Sequence, residues 1–421
     1  MKNSNLKKMI DDEKCFEIVR KKLLEDSIND FRLVDYEMIP IDQVNGYMGQ
    51  YFTLKTTISC SDRPDENRVY NFFAKIPPPI TSPQYEWVQE YGSFRKEVDL
   101  YKTVFPEVLQ NLEKRSIPEY FFGRENDIIV LEDMANSGFV MTDKFVSFDF
   151  QHCQIIIKKL AKFHAKSIIF EELEKRNLHK EFSHCMQETL WPLTEGRSKR
   201  MFDAAVKGVV SMIDLVENLD DSDRQKLKNT VQARSIEHAK KLLPSEKHRN
   251  VLCHGDLWAN NILFKYHETG EPEACCFIDF QLARYNPPAH DILCFLQFTT
   301  TRDLRENEDE NLFKIYWNSM AESLSDAGLE AEQVFPWNKF VESLEELRPM
   351  CMEHGILNIP IMLMESTAAS KYFADQTELL ESVLYVDRTP LIREQFLQVP
   401  QYRKRMSDAI LELHESAKFR R

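Results

Sequence analysis

The sequence predicts an α+β protein of two lobes, a small mixed one followed by a large, mainly helical one. Three observations carry that reading. Strand-like alternation is concentrated in the first third of the chain. Helical periodicity dominates the rest. One hairpin-like stretch, 251–280, interrupts it.

Residues 1–30 read as a helix and a linker. Tyr51 to Cys60 (YFTLKTTISC) is rich in β-branched and aromatic residues and reads as a strand. Ser61 to Asn67 (SDRPDEN) is a turn. Arg68 to Ile76 (RVYNFFAKI) is a second strand, ended by Pro77–Pro79. A long helical segment is expected from about Tyr85 to Leu112. Ile128 to Leu131 (IIVL) is a short buried strand. Helices are expected over Cys153–Phe170, Phe202–Leu219 and Arg224–Leu243, and again from Asp291 onward. The character changes near Glu132–Asn136, which divides the chain into lobes at 1–133 and 134–421. The acidic stretch Arg302 to Asn311 (RDLRENEDEN) reads as a solvated loop, or more sharply as a cation-attracting rim.

Composition excludes several classes. A net charge of −14 and a pI near 5.4 argue against nucleic-acid binding, which favours a basic face. The start, MKNSNLKKMIDDEKCFEIV, has no apolar core of signal-peptide length. No run approaches the roughly 18 apolar residues of a membrane span. The 9 cysteines are odd in number, scattered and without CxxC spacing. They suit free thiols in a reducing compartment, so a cytoplasmic protein without membrane or nucleic-acid partners is expected.

The densest chemistry lies in VLCHGDLWANNILF, Val251 to Phe264. NILFK reads as a strand, YHETGEPE as a turn and ACCFID as the returning strand. A hairpin symmetric about Gly270 would set Asn261 opposite Asp279. An amide oxygen and a carboxylate would then converge, a hard-oxygen pair suited to Mg²⁺. Asp256, on the loop just before, supplies a second acid. One carboxylate for a metal and one for a proton is a minimal set for phosphoryl transfer to a hydroxyl. Each residue alone has a plain alternative. Asp256 could belong to a turn, Asn261 could satisfy loop backbone, and Asp279 could cap a strand end. The ordered set H-G-D-x-x-x-x-N, then I-D-F a hairpin later, is far more specific. His254 reads as a structural support of the loop. Trp258 packs the loop or lines a pocket. Asp291 is either a helix N-cap or a brace for the loop.

In the first lobe, alternation puts Lys75 on one face with Val69 and Phe73. Phe94, Glu97, Val98, Tyr101 and Phe105 share one side of a helix. Glu97 is thus a charge on an apolar stripe, and an unpaired buried carboxylate is costly. Lys75 is its expected partner, and the pair would aim the lysine at nucleotide phosphates. NGYMGQ, Asn45 to Gln50, is the candidate phosphate loop, with only Gly46 and Gly49. LEDM, Leu131 to Met134, joins the lobes, and the backbone of Glu132 and Met134 is expected against adenine.

Taken together, these motifs resemble the protein-kinase-like fold in its small-molecule branch, related to the choline and aminoglycoside kinases. The resemblance is strongest to the ecdysteroid kinase-like (CHK kinase-like) family. It rests on HGDLWANNILFKY, FIDFQLARYNPPAHD, LAKFHAKS, FFAKIP and FRKEVDLY, and runs from about residue 35 to about 400. It implies a small antiparallel sheet with one main helix, followed by a large helical lobe. It implies an ATP- and Mg²⁺-dependent phosphotransferase acting on an alcohol. By motif, Asp256 would be the catalytic base, and Asn261 and Asp279 would hold Mg²⁺. Lys75 would contact the phosphates and pair with Glu97, His254 would support the loop, and Asp291 would brace it. Family acceptors include ecdysteroids, and xenobiotic alcohols or phenols extend the class. The glycine-poor phosphate loop departs from the protein-kinase pattern and leaves the phosphate-gripping amides open. The alternatives are a detoxification kinase, a choline-type kinase, and a nucleotide-binding pseudokinase acting as a binding module. HRD, DFG and APE signatures are absent, which argues against a protein kinase.

Overall fold

The computed structural model describes residues 9–25, 27–28, 30–41, 49–60, 63–191, 195–233, 235–373 and 377–418. Near the amino terminus, helix α1 (Asp12–Glu25) precedes strands β1 (Phe31–Pro40), β2 (Gln50–Cys60) and β3 (Arg63–Ile76). With β4 (Tyr120–Arg124) and β5 (Ile128–Glu132) they form one antiparallel sheet, ordered β1-β2-β3-β5-β4. Side chains alternate across it as a period of two requires. One face buries Phe52, Leu54, Ile58, Phe72, Ala74 and Val130 against Ile18, Val19 and Leu23 of α1. Each large aliphatic fully buried there contributes about 1.5–3 kcal/mol. The other face carries Phe73, Ile129 and Leu131 into the main core of the helical lobe. Lys75, in register with Tyr51 and Ile129, belongs to this second face.

The helix expected over Tyr85–Leu112 is divided. Helix α2 (Pro83–Tyr91) ends at Gly92, whose φ of 60° is left-handed and favours glycine. The following helix, α3, runs through Ser93–Asp99, a π-helical turn at Leu100–Val104, and Phe105–Val108. The widened turn lies just ahead of Pro106, which has no N–H for an ordinary i→i−4 bond.

Beyond β5 the chain is mainly helical. The long helix α4 (Phe150–Glu174) is capped by Asp149, whose carboxylate accepts the His152 N–H at 3.0 Å. It packs against helix Arg302–Asp326. The stretch 302–311 is therefore the first turns of a helix, not a loop. Thr301 caps that helix at the Leu304 N–H. Arg305 and Asp309 are buried, and they pair with Glu412 and Arg348. Opposite charges distributed on several faces gave no apolar stripe to reveal the helix.

Two small β elements are set into this lobe. β7 (Val251–Cys253) pairs with β10 (Arg284–Asn286). The hairpin β8 (Ile262–Tyr266) and β9 (Pro272–Phe277) joins β6 (Val140–Met141). Helix Ala289–Thr299 crosses helix Trp337–Met362 at Gly355, where a Cβ would lie 2.6 Å from Gln297 Cγ. Among the described residues, no helix is long and apolar enough to cross a membrane. All nine cysteines are buried and unpaired.

Candidate active site

Four segments converge on one cleft: β3, α3, the 254–261 loop and the 278–284 segment. Lys75 Nζ lies 2.8 Å from Glu97 Oε2, 3.0 Å from Asp279 Oδ1 and 3.3 Å from Gln281 Oε1. The other Glu97 oxygen accepts the Phe280 N–H at 3.1 Å. Glu97 thus joins α3 both to the sheet and to the residue after Asp279. Burial opposes the charge on Lys75, but Asp279 and Glu97 outweigh it and hold its pKa well above the usual value. Asp279 has the greatest solvent access of the three, with 21% of its side chain exposed against 4% and 2%. Its φ of 66° is left-handed, which an aspartate tolerates better than most residues.

The 254–261 loop is held from below by Asp291. That residue lies in the first turn of helix Ala289–Thr299, whose N-cap is Pro288. Its two carboxylate oxygens accept the His254 N–H at 2.6 Å and the Gly255 N–H at 2.9 Å. His164 Nε2 adds a contact at 3.2 Å and is itself held by Tyr316 through Nδ1 at 2.8 Å. Burial alone would raise the Asp291 pKa, but hydrogen bonds from His164 and His290 outweigh it and hold it far below the usual range. Asp291 therefore braces the loop.

His254 points inward. Its Nε2 contacts the Ile278 carbonyl at 2.9 Å, and its Nδ1 accepts the Asp256 N–H at 3.3 Å. That pattern assigns the proton to Nε2. Burial lowers its pKa, so the ring is neutral. Gly255, at φ 82°, admits no side chain, since a Cβ would lie 2.1 Å from the Leu282 carbonyl oxygen.

Asp256 is half-buried and close to Asn261, whose Nδ2 donates to the Asp256 carbonyl at 2.8 Å and to its Oδ2 at 3.0 Å. Burial, followed by the negative charge of Asp279, pushes the Asp256 pKa up to about 7. Asn261 is not opposite Asp279. Ile262 pairs with Phe277, and the Ile278 N–H donates to the Asn261 carbonyl, so Asn261 faces Ile278. Tyr266 pairs with Pro272, so the turn is not centred on Gly270, and the register irregularity at Lys265/Tyr266 makes up only part of the difference. The two side chains still line one cavity.

Of the two glycines in the expected phosphate loop, Gly46 lies outside the described residues. Gly49 enters β2, where a Cβ would lie 3.4 Å from Lys75 Cγ. The Glu132 N–H donates to the Glu119 carbonyl, and its carboxylate meets Arg115 and Ser137. Met134 is buried and, with Leu131 and Phe73, lines the cleft.

These groups open onto a cavity of about 530 Å³. Its far wall includes Trp191, Met201, Ile361, Met362, Leu384 and Arg388. The Arg388 guanidinium is buried, and its Nε donates to the Val383 carbonyl at 3.3 Å. Burial lowers its pKa to about 10, still high enough to keep it charged.

The sequence profile of the ecdysteroid kinase-like family matches residues 43–329, more than half of the chain. The chain belongs to the ecdysteroid kinase-like family. As a member it is a small-molecule kinase, and kinase membership implies ATP use and typically a divalent metal. No curated protein matches the sequence. A solved structure described as the microcompartment-associated aminopropanol kinase is similar at 11% identity. The match covers 90% of this chain and 97% of that chain, with a TM-score of 0.39.

Within this kinase, several supporting residues escaped sequence reasoning. His164 sits in LAKFHAKS, where an isolated histidine on an apolar helix gave no sign of its partner. Lys96, beside Glu97, donates to the carbonyls of Gln187 at 2.6 Å and Ala283 at 3.1 Å, clamping α3 to the 278–284 segment. Burial lowers its pKa to about 8. Arg284 pairs with Glu188 at 2.9 Å and reaches the Gly255 carbonyl. A lysine next to Glu97 and an arginine five residues after Asp279 were the only signals available.

Proposed function

We propose that this kinase transfers the γ-phosphoryl group of Mg·ATP to a hydroxyl of an ecdysteroid or a similar lipophilic alcohol, with Asp256 as the base. The observation that carries the reading is the shared cavity. It joins Lys75, Asp279, Asn261 and Asp256 to an apolar wall containing Trp191, Met201 and Met362. Its volume, about 530 Å³, lies within the range of pockets that enclose drug-sized ligands.

The donor set fits the implied groups. Asn261 uses Nδ2 for both contacts to Asp256, which leaves Oδ1 for a cation. Asp279, with its access to solvent, adds a carboxylate oxygen. Oxygen donors of this kind suit Mg²⁺, and these two residues would hold it. Lys75, oriented by Glu97, would contact the phosphates. Phe73, Leu131 and Met134 would pack against the base, beside the backbone of Glu132. Bound there, Mg·ATP supplies the phosphoryl group and neutralises its developing charge.

The remaining work falls to the protein's own groups. Asp256 accepts the proton of the acceptor hydroxyl, and Asn261 holds that carboxylate in place. His254 and Asp291 keep the loop rigid. The chain divides at 133/134 into a lobe that grips nucleotide and a lobe, 134–421, that carries the base and the acceptor wall. The assembly of Lys75, Glu97, Asp256, Asn261 and Asp279 in one cleft favours turnover over a pseudokinase.

The far wall discriminates between acceptors. Among the described residues, the acids lining the cavity are Glu97, Glu132, Asp133, Asp256 and Asp279, all from the nucleotide and loop segments. Arg388 supplies a positive charge to the other wall. A quaternary ammonium would meet a like charge there, so a choline-type acceptor is disfavoured and a neutral alcohol is favoured.

The test is a mass-spectrometric screen for one added phosphate. The protein is incubated with Mg·ATP and ecdysteroids, phenols, xenobiotic alcohols, choline or ethanolamine, with Asp256→Asn as control. Phosphorylation of an ecdysteroid by the wild type alone is expected. Product from xenobiotic alcohols alone would move the acceptor to detoxification. Product from choline alone would overturn the acceptor class. ATP binding without any product would favour the pseudokinase.

A further inference from the structure

A second cluster of metal-ligating side chains lies beneath the acceptor wall, apart from Asn261 and Asp279. His290 and Cys294 are one turn apart on helix Ala289–Thr299, and His354 faces them from helix Trp337–Met362. Their ligand atoms lie within 4.8 Å of one another. We propose that His290, Cys294 and His354 bind a zinc ion that fastens these two helices together.

The geometry is close to that of a loaded site. With Zn–N of about 2.0 Å and Zn–S of about 2.3 Å, a tetrahedral site has an N···S edge of about 3.5 Å. His290 Nε2 lies 3.8 Å from Cys294 Sγ, near that edge. His354 closes the triangle with a small side-chain adjustment. Both imidazoles are already oriented through their other nitrogen. His354 Nδ1 is 3.0 Å from His238 Nε2, with the rings stacked, which leaves Nε2 for the metal. His290 Nδ1 faces Asp291 Oδ1 at 3.5 Å. A carboxylate behind a ligating histidine is a recurrent support in zinc sites.

The surroundings meet the other requirements. The three ligands are 0%, 3% and 3% exposed, so the thiolate–imidazole set is screened from water. His354 lines the large cavity, which gives an ion a path in. Gly355 permits the close helix crossing that brings the ligands together. Through His290 and Asp291 the ion would also stiffen the loop that carries Asp256.

The test uses the full chain, stripped with a chelator and titrated with Co²⁺, which reports thiolate ligation by a sulfur-to-metal charge-transfer band. Oxygen ligation at Asn261 and Asp279 gives no such band. One equivalent of cobalt with tetrahedral visible bands is expected, displaced by one equivalent of zinc. Cys294→Ser should abolish the charge-transfer band, while Cys153→Ala should leave it unchanged. His238→Asn should keep the band but weaken cobalt affinity about 10–100-fold, the usual worth of an outer support. Absence of the band in the wild type, or its persistence at full strength in Cys294→Ser, would overturn the proposal.

Discussion

Asp256→Asn removes the proposed base while preserving shape. The amide oxygen can still accept from Asn261 Nδ2, as the carboxylate does at 3.0 Å. Loss of a positioned general base lowers kcat by about 10²–10⁴-fold, or roughly 3–5 kcal/mol of barrier at about 1.4 kcal/mol per decade. Stability should move the other way. The Asp256 pKa is raised from 3.8 to about 7 in the folded protein, first by burial and then by Asp279. A carboxyl raised on folding stabilises the acid form, so its penalty grows from the unfolded value near 4 and levels off above 7. Each unit corresponds to about 1.4 kcal/mol, and partial exposure reduces the full displacement, leaving a gain of about 1–3 kcal/mol for the variant at pH 8. That gain should shrink as the pH falls towards 4. The assays are steady-state kinetics for ATP and acceptor, and urea unfolding at pH 5 and 8. In the wild type, kcat/KM should fall below about pH 7 as the base is protonated. Unchanged turnover would remove Asp256 as the base, and a variant less stable at pH 8 than at pH 5 relative to wild type would show that the folded protein does not raise its pKa.

Further expectations follow from the same geometry. Lys75→Met strands Glu97, 1% exposed, and should cost about 3–5 kcal/mol in denaturant unfolding, partly restored by adding Glu97→Gln. A loss below about 1 kcal/mol would show that Glu97 does not depend on Lys75. Asp291→Ala leaves the His254 and Gly255 N–H groups without their acceptor and should cost about 2–6 kcal/mol. Its kcat should fall while KM for ATP is retained, and normal kcat would show that the loop keeps its working geometry without Asp291. Gly255→Ala forces a left-handed alanine into the Leu282 carbonyl, so a loss of more than about 2 kcal/mol is expected by thermal unfolding. Met201→Trp fills the far wall and should raise the acceptor KM about tenfold or more without changing KM for ATP; equal changes in both would place the acceptor elsewhere.

Residue periodicity made part of the site legible. Alternation in RVYNFFAKI and the apolar stripe of FRKEVDLYKTVF put Lys75 and Glu97 face to face, because each pattern leaves one charge on a buried face. The segment around Asp256 and Asn261 was readable from the order of its polar residues. The hairpin register was not, because neither the centre of the turn nor the irregularity at Lys265/Tyr266 leaves a mark in composition. Asp291 was ambiguous because a carboxylate in the first turn of a helix suits both a cap and a brace. His164, Lys96 and the Arg284–Glu188 pair act across long sequence separations, and only the packed chain shows what they hold. The helical start at 302–311 was hidden because its charges pair with Glu412, Glu415 and Arg348, far along the chain.

Phosphoryl transfer from ATP to a lipophilic alcohol at Asp256 can be followed atom by atom. Its most direct measurement follows isotope-labelled γ-phosphate from ATP into an ecdysteroid panel, with wild type, Asp256→Asn and Asp279→Ala run side by side. Label on a hydroxyl oxygen of the acceptor is expected with the wild type, a rate at least about 10²-fold lower with Asp256→Asn, and none with Asp279→Ala. Equal labelling by Asp256→Asn, or label released only as inorganic phosphate by the wild type, would contradict transfer at Asp256.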